Sequence, residues 1–187
     1  MRVISGIARG TKLNSIDSNS TRPTLDRVKE AFFSSIQPNI NENTQILDLF
    51  AGSGQIGIEF LSRGAKKAYF CEKNPLAAKM IKQNLEKTRF CESSVIINKD
   101  YKVALENLKK DNIKFDIIYI DPPYKLDIAT KSIDYILSNN LLSESGVIII
   151  ETDEEDRDLK ELENMGVDIY NIKRYGRVKL IFLRRKE

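Results

Sequence analysis

The chain has 187 residues, of which 41% are apolar, enough for one domain with a sizeable core. It carries 30 Lys and Arg against 27 Asp and Glu, a net charge of +3 that by itself names no partner. It has no histidine, which excludes Ser-His and Cys-His nucleophiles, His-based acid–base catalysis and His-containing metal sites.

The two cysteines, Cys71 and Cys91, are too far apart for a CxxC pair and too few for a Cys-only zinc site. No apolar run approaches the ~18 residues of a membrane span, and the N-terminus lacks the apolar core of a signal peptide. The expectation is a reduced, cytoplasmic protein with no metal and no membrane partner.

Arg2–Leu13, with Gly6 and Gly10, reads as a small hairpin outside the main sheet. The polar run Asn14–Thr21 is expected to be flexible and precedes Arg22-Pro23. Thr24–Ile36 has helical spacing, with Leu25, Val28, Ala31, Phe32 and Ile36 on one side. Phe32 and Phe33 are read as core rather than as stacking platforms for bases. Gln45–Phe50 is a short apolar strand, and Ile56–Arg63 a helix stopped by Gly64. Lys67–Cys71 is the second strand. Pro75 opens a helix whose face continues through Leu76, Met80, Ile81 and Leu85. Val95–Asn98 is a third strand, followed by a helix through Val103, Leu105 and Leu108. Phe115–Ile120 is continuously apolar, as a strand buried on both faces should be. A helix over Ile128–Leu137 and a strand over Val147–Glu151 follow.

Strands that start near 46, 68, 95, 116 and 147 have βαβ spacing, which predicts a parallel sheet. Val167–Lys173 and Arg177–Leu183 are joined only by Arg174–Gly176, so they form a hairpin and the last strand runs antiparallel. The fold class is therefore α/β: a Rossmann-like, seven-stranded, mostly parallel sheet. Residues 1–40 are expected to form a hairpin-and-helix extension, and 41–187 the main domain.

The charge is unevenly placed. Residues 1–30 hold six basic residues (Arg2, Arg9, Lys12, Arg22, Arg27, Lys29) against three acidic ones, and residues 173–187 hold seven against one. Residues 151–163 hold eight acidic against two basic. If the basic ends contact nucleic acid, the acidic stretch should face away from that surface.

Two motifs carry chemistry. Asp48-Leu49-Phe50-Ala51-Gly52-Ser53-Gly54-Gln55-Ile56-Gly57 joins a strand to a helix and fits G-x-G-x-x-G. Its glycines allow a tight turn and close approach of a ligand to the helix N-terminus. Glu72 ends the next strand, where a carboxylate can accept both hydroxyls of a ribose. This pair fits either a dinucleotide or S-adenosylmethionine; the C-terminal hairpin favours the second. The other motif, Asp121-Pro122-Pro123-Tyr124, follows the buried fourth strand. Its prolines fix a stiff turn lacking N–H donors, which leaves an acceptor array for an amino group, and Tyr124 offers a face for stacking a base. Positioning an exocyclic nitrogen against an electrophilic methyl can supply up to ~7–11 kcal/mol of the barrier.

With these motifs the chain resembles class I S-adenosylmethionine-dependent methyltransferases that act on exocyclic amines. More closely, it is similar to the bacterial small-subunit (16S) rRNA guanine-N2 methyltransferase family. Arg2-Val3-Ile4-Ser5-Gly6, Arg9–Leu13, Arg22–Phe33, Asp48–Gly57 with Glu59, Ser62–Ala65 and Asp121–Tyr124 carry the likeness. The resemblance implies that Asp48, Ala51, Gly52, Ser53, Gly54, Glu72, Lys73, Asp100 and Tyr101 hold S-adenosylmethionine, with Thr24 near its methionine end. It implies that Asp121, Pro122, Pro123 and Tyr124 hold the target guanine. Arg2, Arg9, Lys12 and Arg22 would meet 16S rRNA within the small ribosomal subunit, and a monomer is expected. Gln55 stands where a smaller residue is common in the family.

Other readings of the residues stay open. An Asp-Pro-Pro-Tyr pocket serves adenine N6 in DNA or RNA as well as guanine N2. Protein-glutamine methyltransferases prefer Asn where this chain has Asp121. A nicotinamide dehydrogenase would use the glycine loop but leave Asp121–Tyr124 unexplained. A non-catalytic RNA-binding ribosome-assembly module would bind RNA without transferring methyl.

Overall fold

The structure, a computed structural model, describes residues 1–15, 23–122, 126–153 and 155–186, with side chains described for all of these except 23–27, 126 and 156–158. The expected flexible run thus falls mostly outside the described residues.

Seven strands form one sheet: β1 (Gln45–Asp48), β2 (Lys67–Cys71), β3 (Ser94–Ile97), β4 (Phe115–Ile120), β5 (Leu142–Thr152), β6 (Val167–Tyr175) and β7 (Val178–Arg185). Their spatial order is β3-β2-β1-β4-β5-β7-β6. The first five are parallel, and β7 runs antiparallel between β5 and β6, as the short link requires. That link is shorter than the sequence suggested, only Gly176 and Arg177, and Gly176 takes φ +65° as a two-residue hairpin turn demands.

Helices cover both faces. Around one face pack α1 (Pro23–Ile36), α2 (Gln55–Ser62) and α3 (Pro75–Thr88), through Phe32, Phe33, Phe60 and Ile81. Over the other lie α4 (Tyr101–Lys110), α5 (Leu126–Ser138) and α6 (Glu155–Leu162), through Leu105, Ile133 and Leu162. Burial of β4 on both faces follows, since Ile117 and Tyr119 enter one layer and Ile118 and Ile120 the other. Phe32 and Phe33 are core residues, as expected.

Helix faces are where the sequence reading needs correction. Leu76 is 76% exposed, and α3 buries Ala77, Ala78, Ile81, Asn84 and Leu85 instead. Ala31 is exposed while Phe33 is buried, and Val103 yields its place on α4 to Ala104. On α3 and α4 small residues pack against the sheet and a larger apolar one is left outside, which an apolar-periodicity count does not anticipate; on α1 it is the small Ala31 that is left out. Within the acidic stretch, expected only as a charged segment, Glu155–Leu162 form α6. Its leading Glu155 suits a helix N-terminus, and its carboxylate pairs with Arg174 on β6.

The N-terminal arm folds back as the expected hairpin, with Arg2 bridging Lys12 antiparallel. Glu59 on α2, 1% exposed, anchors it by accepting Ile4 N–H at 2.8 Å, Ser5 N–H at 3.0 Å and Arg63 Nε–H at 2.9 Å. Ser62 Oγ accepts Ala8 N–H at 3.0 Å and donates to Ser5 O at 2.5 Å. Gly6 lies so close that a Cβ there would sit 1.7 Å from Ser62 O. At the arm's far end, buried Asn84 bonds both N–H and C=O of Asn14 and donates to Ser53 O in the glycine loop.

Candidate active site

Strand alternation builds the site. On β1, Ile46 and Asp48 share a face; on β4, Ile117 and Tyr119; on β5, Val147, Ile149 and Glu151. Asp48 pairs with Tyr119, and Tyr119 with Ile149. These residues therefore emerge side by side at the carboxyl ends of neighbouring strands, on the face that also carries α1 and the arm. Asp121 continues the same alternation one step past β4. Because β1 and β4 are adjacent here, the chain departs in opposite directions from this point, where open α/β sheets hold their ligands.

A cleft of about 1050 Å³ opens at this place. Asp48, Ala51, Gly52, Ser53, Tyr119, Asp121 and Glu151 line its floor, with Arg2, Arg9 and Lys12 from the arm and Lys29 from α1 along the rest of its wall. The glycine loop and Asp121, remote in sequence, thus meet in one cavity.

In the loop, Gly52 has φ +54° and Gly54 φ +78°, left-handed conformations that favour glycine. Gly57 is needed for space, because a Cβ there would lie 2.3 Å from the Phe70 ring. Asp48, 2% exposed, accepts Gly57 N–H at 3.2 Å. Burial pushes its carboxyl up to about 7, against the pull of that hydrogen bond and with help from Glu72 and Glu151.

Glu72 is tied to the loop: Oε2 accepts Gly52 N–H at 2.9 Å and Oε1 accepts Asn74 N–H at 2.7 Å. Beside it Lys73 lies 3.5 Å from Asp100, which caps α4 by accepting Lys102 N–H at 3.1 Å. Tyr101 packs on Phe50 with ring centroids 5.6 Å apart. Gly54, Glu72, Lys73, Asp100 and Tyr101 are not in the lining of the main cleft. Gly54 is buried against Ile81 and Phe70, and the other four form an adjoining group, joined to the cleft through Gly52 and Phe50.

Asp121 has an open flank to solvent, yet protein crowds its carboxyl. That burial, then Glu151 and then Asp48, raises it to about 7. Pro122 is half-buried. Pro123, Tyr124 and Arg22 lie outside the described residues, as does the side chain of Thr24.

Sequence reasoning missed Tyr119 and Glu151. The Tyr119 hydroxyl, buried among core rings, donates to Glu151 Oε2. Burial raises Glu151 and this bond opposes the rise. The acidic stretch was expected to face away from the binding surface; its first member instead lines the cleft, because strand alternation on β5 directs it there. Gln55 proves to be a tie to the arm, with Nε2 3.5 Å from Arg2 O. Among the described residues no cluster of three or more Cys, Asp or Glu is placed to hold a metal, and no helix is long and apolar enough to cross a membrane.

Comparison with known proteins fits this geometry. The chain is 38% identical over 167 residues to the Haemophilus influenzae ribosomal RNA small subunit methyltransferase D, spanning 88% of this chain and 84% of that protein. The Escherichia coli protein of the same name is 33% identical over 155 residues, or 83% of this chain and 76% of the relative. The solved structure of Escherichia coli yhhF superposes with a TM-score of 0.81 at 28% identity, covering 100% of this chain and 98% of that one. The family described as conserved hypothetical protein 95 matches residues 1–184, and with these relatives it shows that the chain belongs to that family, the one of the small subunit rRNA methyltransferase D proteins.

Proposed function

We propose that this methyltransferase moves a methyl group from S-adenosylmethionine to the exocyclic N2 of a guanine in 16S rRNA, within the small ribosomal subunit in the cytoplasm. The observation that carries the reading is the meeting of the glycine loop and Asp121 in one cleft, walled by a basic arm. When bound, S-adenosylmethionine supplies an electrophilic methyl on a sulfonium.

The residues fit that group. The space beyond Gly52, where a side chain would stand, holds no atom within 4 Å, so a ligand can approach the loop backbone. Asp48, Ala51, Gly52, Ser53 and Gly54 hold its methionine and ribose part, with Thr24 at the methionine end. Glu72 and Lys73 take the ribose; Asp100 and Tyr101 take the adenine. Glu72 keeps acceptor capacity after its two backbone bonds, because an ionised carboxylate offers about four lone pairs.

Asp121, with Pro122, Pro123 and Tyr124, receives the base. Its carboxylate accepts from the amine, so the nitrogen lone pair turns toward the methyl and the charge developing on nitrogen is stabilised. A structured RNA must splay the base out to reach the cleft, at a cost of a few kcal/mol. Phosphate contacts from Arg2, Arg9, Lys12 and Arg22 on the N-terminal extension, residues 1–40, offset that cost. Asp121→Ala should abolish labelled-methyl transfer to unmodified small subunits while cofactor affinity survives. Transfer at the wild-type rate removes Asp121 from its role.

A further inference from the structure

Glu151 stands in the cleft without a part in the reading above. It is the penultimate residue of β5, one step past the Ile120–Ile150 pair, as Asp121 is one step past Ile120, and neighbouring strands lie about 4.8 Å apart. Tyr119 donates its hydroxyl to Oε2, which holds the carboxylate, and among the described residues nothing donates to Oε1. Tyr119 is itself 2% exposed and packed 5.8 Å from the Phe32 ring, so the tether is rigid. The cleft therefore presents two carboxylates side by side on one wall, one of them fixed by the core.

We infer that Glu151 is the residue that selects guanine, accepting the N1–H of the target base while Asp121 accepts from its N2 amine. The inference rests on the amine-methylation reading and deepens it. Guanine offers N1–H and the N2 amine as adjacent donors, and an ionised carboxylate only accepts. Adenine sets an unprotonated nitrogen beside its amine, so its lone pair would meet the Glu151 oxygen and both would lose their partner. Sites built for a hydrogen-bonded group reject analogues lacking it far more strongly than apolar pockets reject a methylene.

The acceptor at N1–H also helps the chemistry. It draws positive charge from N1 and leaves the N2 lone pair more available. That lone pair forms the new bond to carbon as the methyl–sulfur bond breaks, with its electron pair kept by sulfur. N2 then sheds one proton, through the Asp121 carboxylate to water, while N1 keeps its own. Tyr119 touches no substrate and acts as a positioning residue through Glu151.

The experiment first maps the base that the wild-type enzyme methylates in unmodified small subunits. Subunits are then reconstituted with rRNA carrying 1-methylguanine there, which has no N1–H. Single-turnover transfer is measured on both substrates for wild type, Glu151→Ala, Glu151→Gln and Tyr119→Phe, with calorimetry of S-adenosylmethionine binding to each. On the natural substrate Glu151→Ala should slow transfer by ~100-fold or more at near-constant cofactor affinity. Wild type should lose as much on 1-methylguanine, and Glu151→Ala should lose no more there, the mark of two changes that remove one contact. Glu151→Gln, nearly isosteric and still an acceptor, should fall between and carries the test if the alanine variant does not fold. Tyr119→Phe should lower kcat with little change in KM. Guanine methylated by Glu151 variants at the wild-type rate overturns this inference alone. A loss of cofactor affinity that matches the loss of rate overturns it too, by placing Glu151 on the cofactor. Adenine as the mapped base overturns both this inference and the reading beneath it.

Discussion

At the scale of single residues, carboxylates decide the chemistry, and each is held differently. Glu72 binds the loop by accepting Gly52 N–H at 2.9 Å and is steadied by Asn74 N–H, at the start of α3, at 2.7 Å. Glu72→Ala should weaken S-adenosylmethionine binding by about 1.5–3 kcal/mol, the worth of hydrogen bonds to a charged group. Calorimetry checks this, and unchanged affinity would take Glu72 out of the site. Asp121 is raised to about 7 by burial and by Glu151 and Asp48. Ionised, it only accepts; protonated, it turns one oxygen into a donor that the amine N–H cannot meet, so the transfer rate should climb as pH rises through about 7 and level off above it. A single-turnover rate that is flat from roughly pH 5.5 to 8.5 would contradict that role. Asp48, also raised to about 7, bears on stability. Its folded-state pKa lies above the ordinary carboxylate range, so the folded protein holds a proton that the unfolded chain has lost, and stability falls as pH climbs across that window.

At the scale of elements, the N-terminal arm depends on two turns of α2. Removing the Glu59 carboxylate leaves Ile4 N–H and Ser5 N–H without an acceptor and Arg63, whose side chain is 6% exposed, without its counter-ion. Glu59→Ala should cost about 3–5 kcal/mol in denaturant unfolding, as breaking a buried pair does. A loss below about 1 kcal/mol would mean that the arm is held by its apolar contacts alone.

The same element shows how far sequence reading reached. The strands and their directions were legible, because β-branched runs at βαβ spacing and a short final link permit one arrangement. The glycine loop and Asp121 were legible too, because each sits where a strand must end. Helix faces were less so: Leu76 and Val103 look like core residues until Ala77 and Ala104 are seen against the sheet. Glu151 was read with the acidic run that follows it, although its parity with Val147 and Ile149 already set it on the cleft face. Glu59 carried only a family likeness, since nothing local tells a helix carboxylate that it will anchor backbone from 54 and 55 residues away.

At the scale of the whole molecule, charge is sorted about the cleft. Arg2, Arg9 and Lys12 wall it from the arm, while the acidic α6 belongs to the layer on the sheet's other face. A small net charge thus coexists with a local field suited to phosphate. RNA affinity should fall steeply with salt, and replacing any one of Arg2, Arg9 or Lys12 by Ala should reduce the slope of log affinity against log salt by about 1. Filter binding over a salt series reads this directly, and an unchanged slope in all three variants would move the RNA contact elsewhere.

The measurement that bears most directly on the central claim is transfer of labelled methyl from S-adenosylmethionine to unmodified small ribosomal subunits, naked rRNA and duplex DNA, followed by identification of the labelled nucleoside. Label should appear in 16S rRNA as N2-methylguanine and be lost in Asp121→Ala. Label recovered as methyladenine, or in DNA alone, would contradict it.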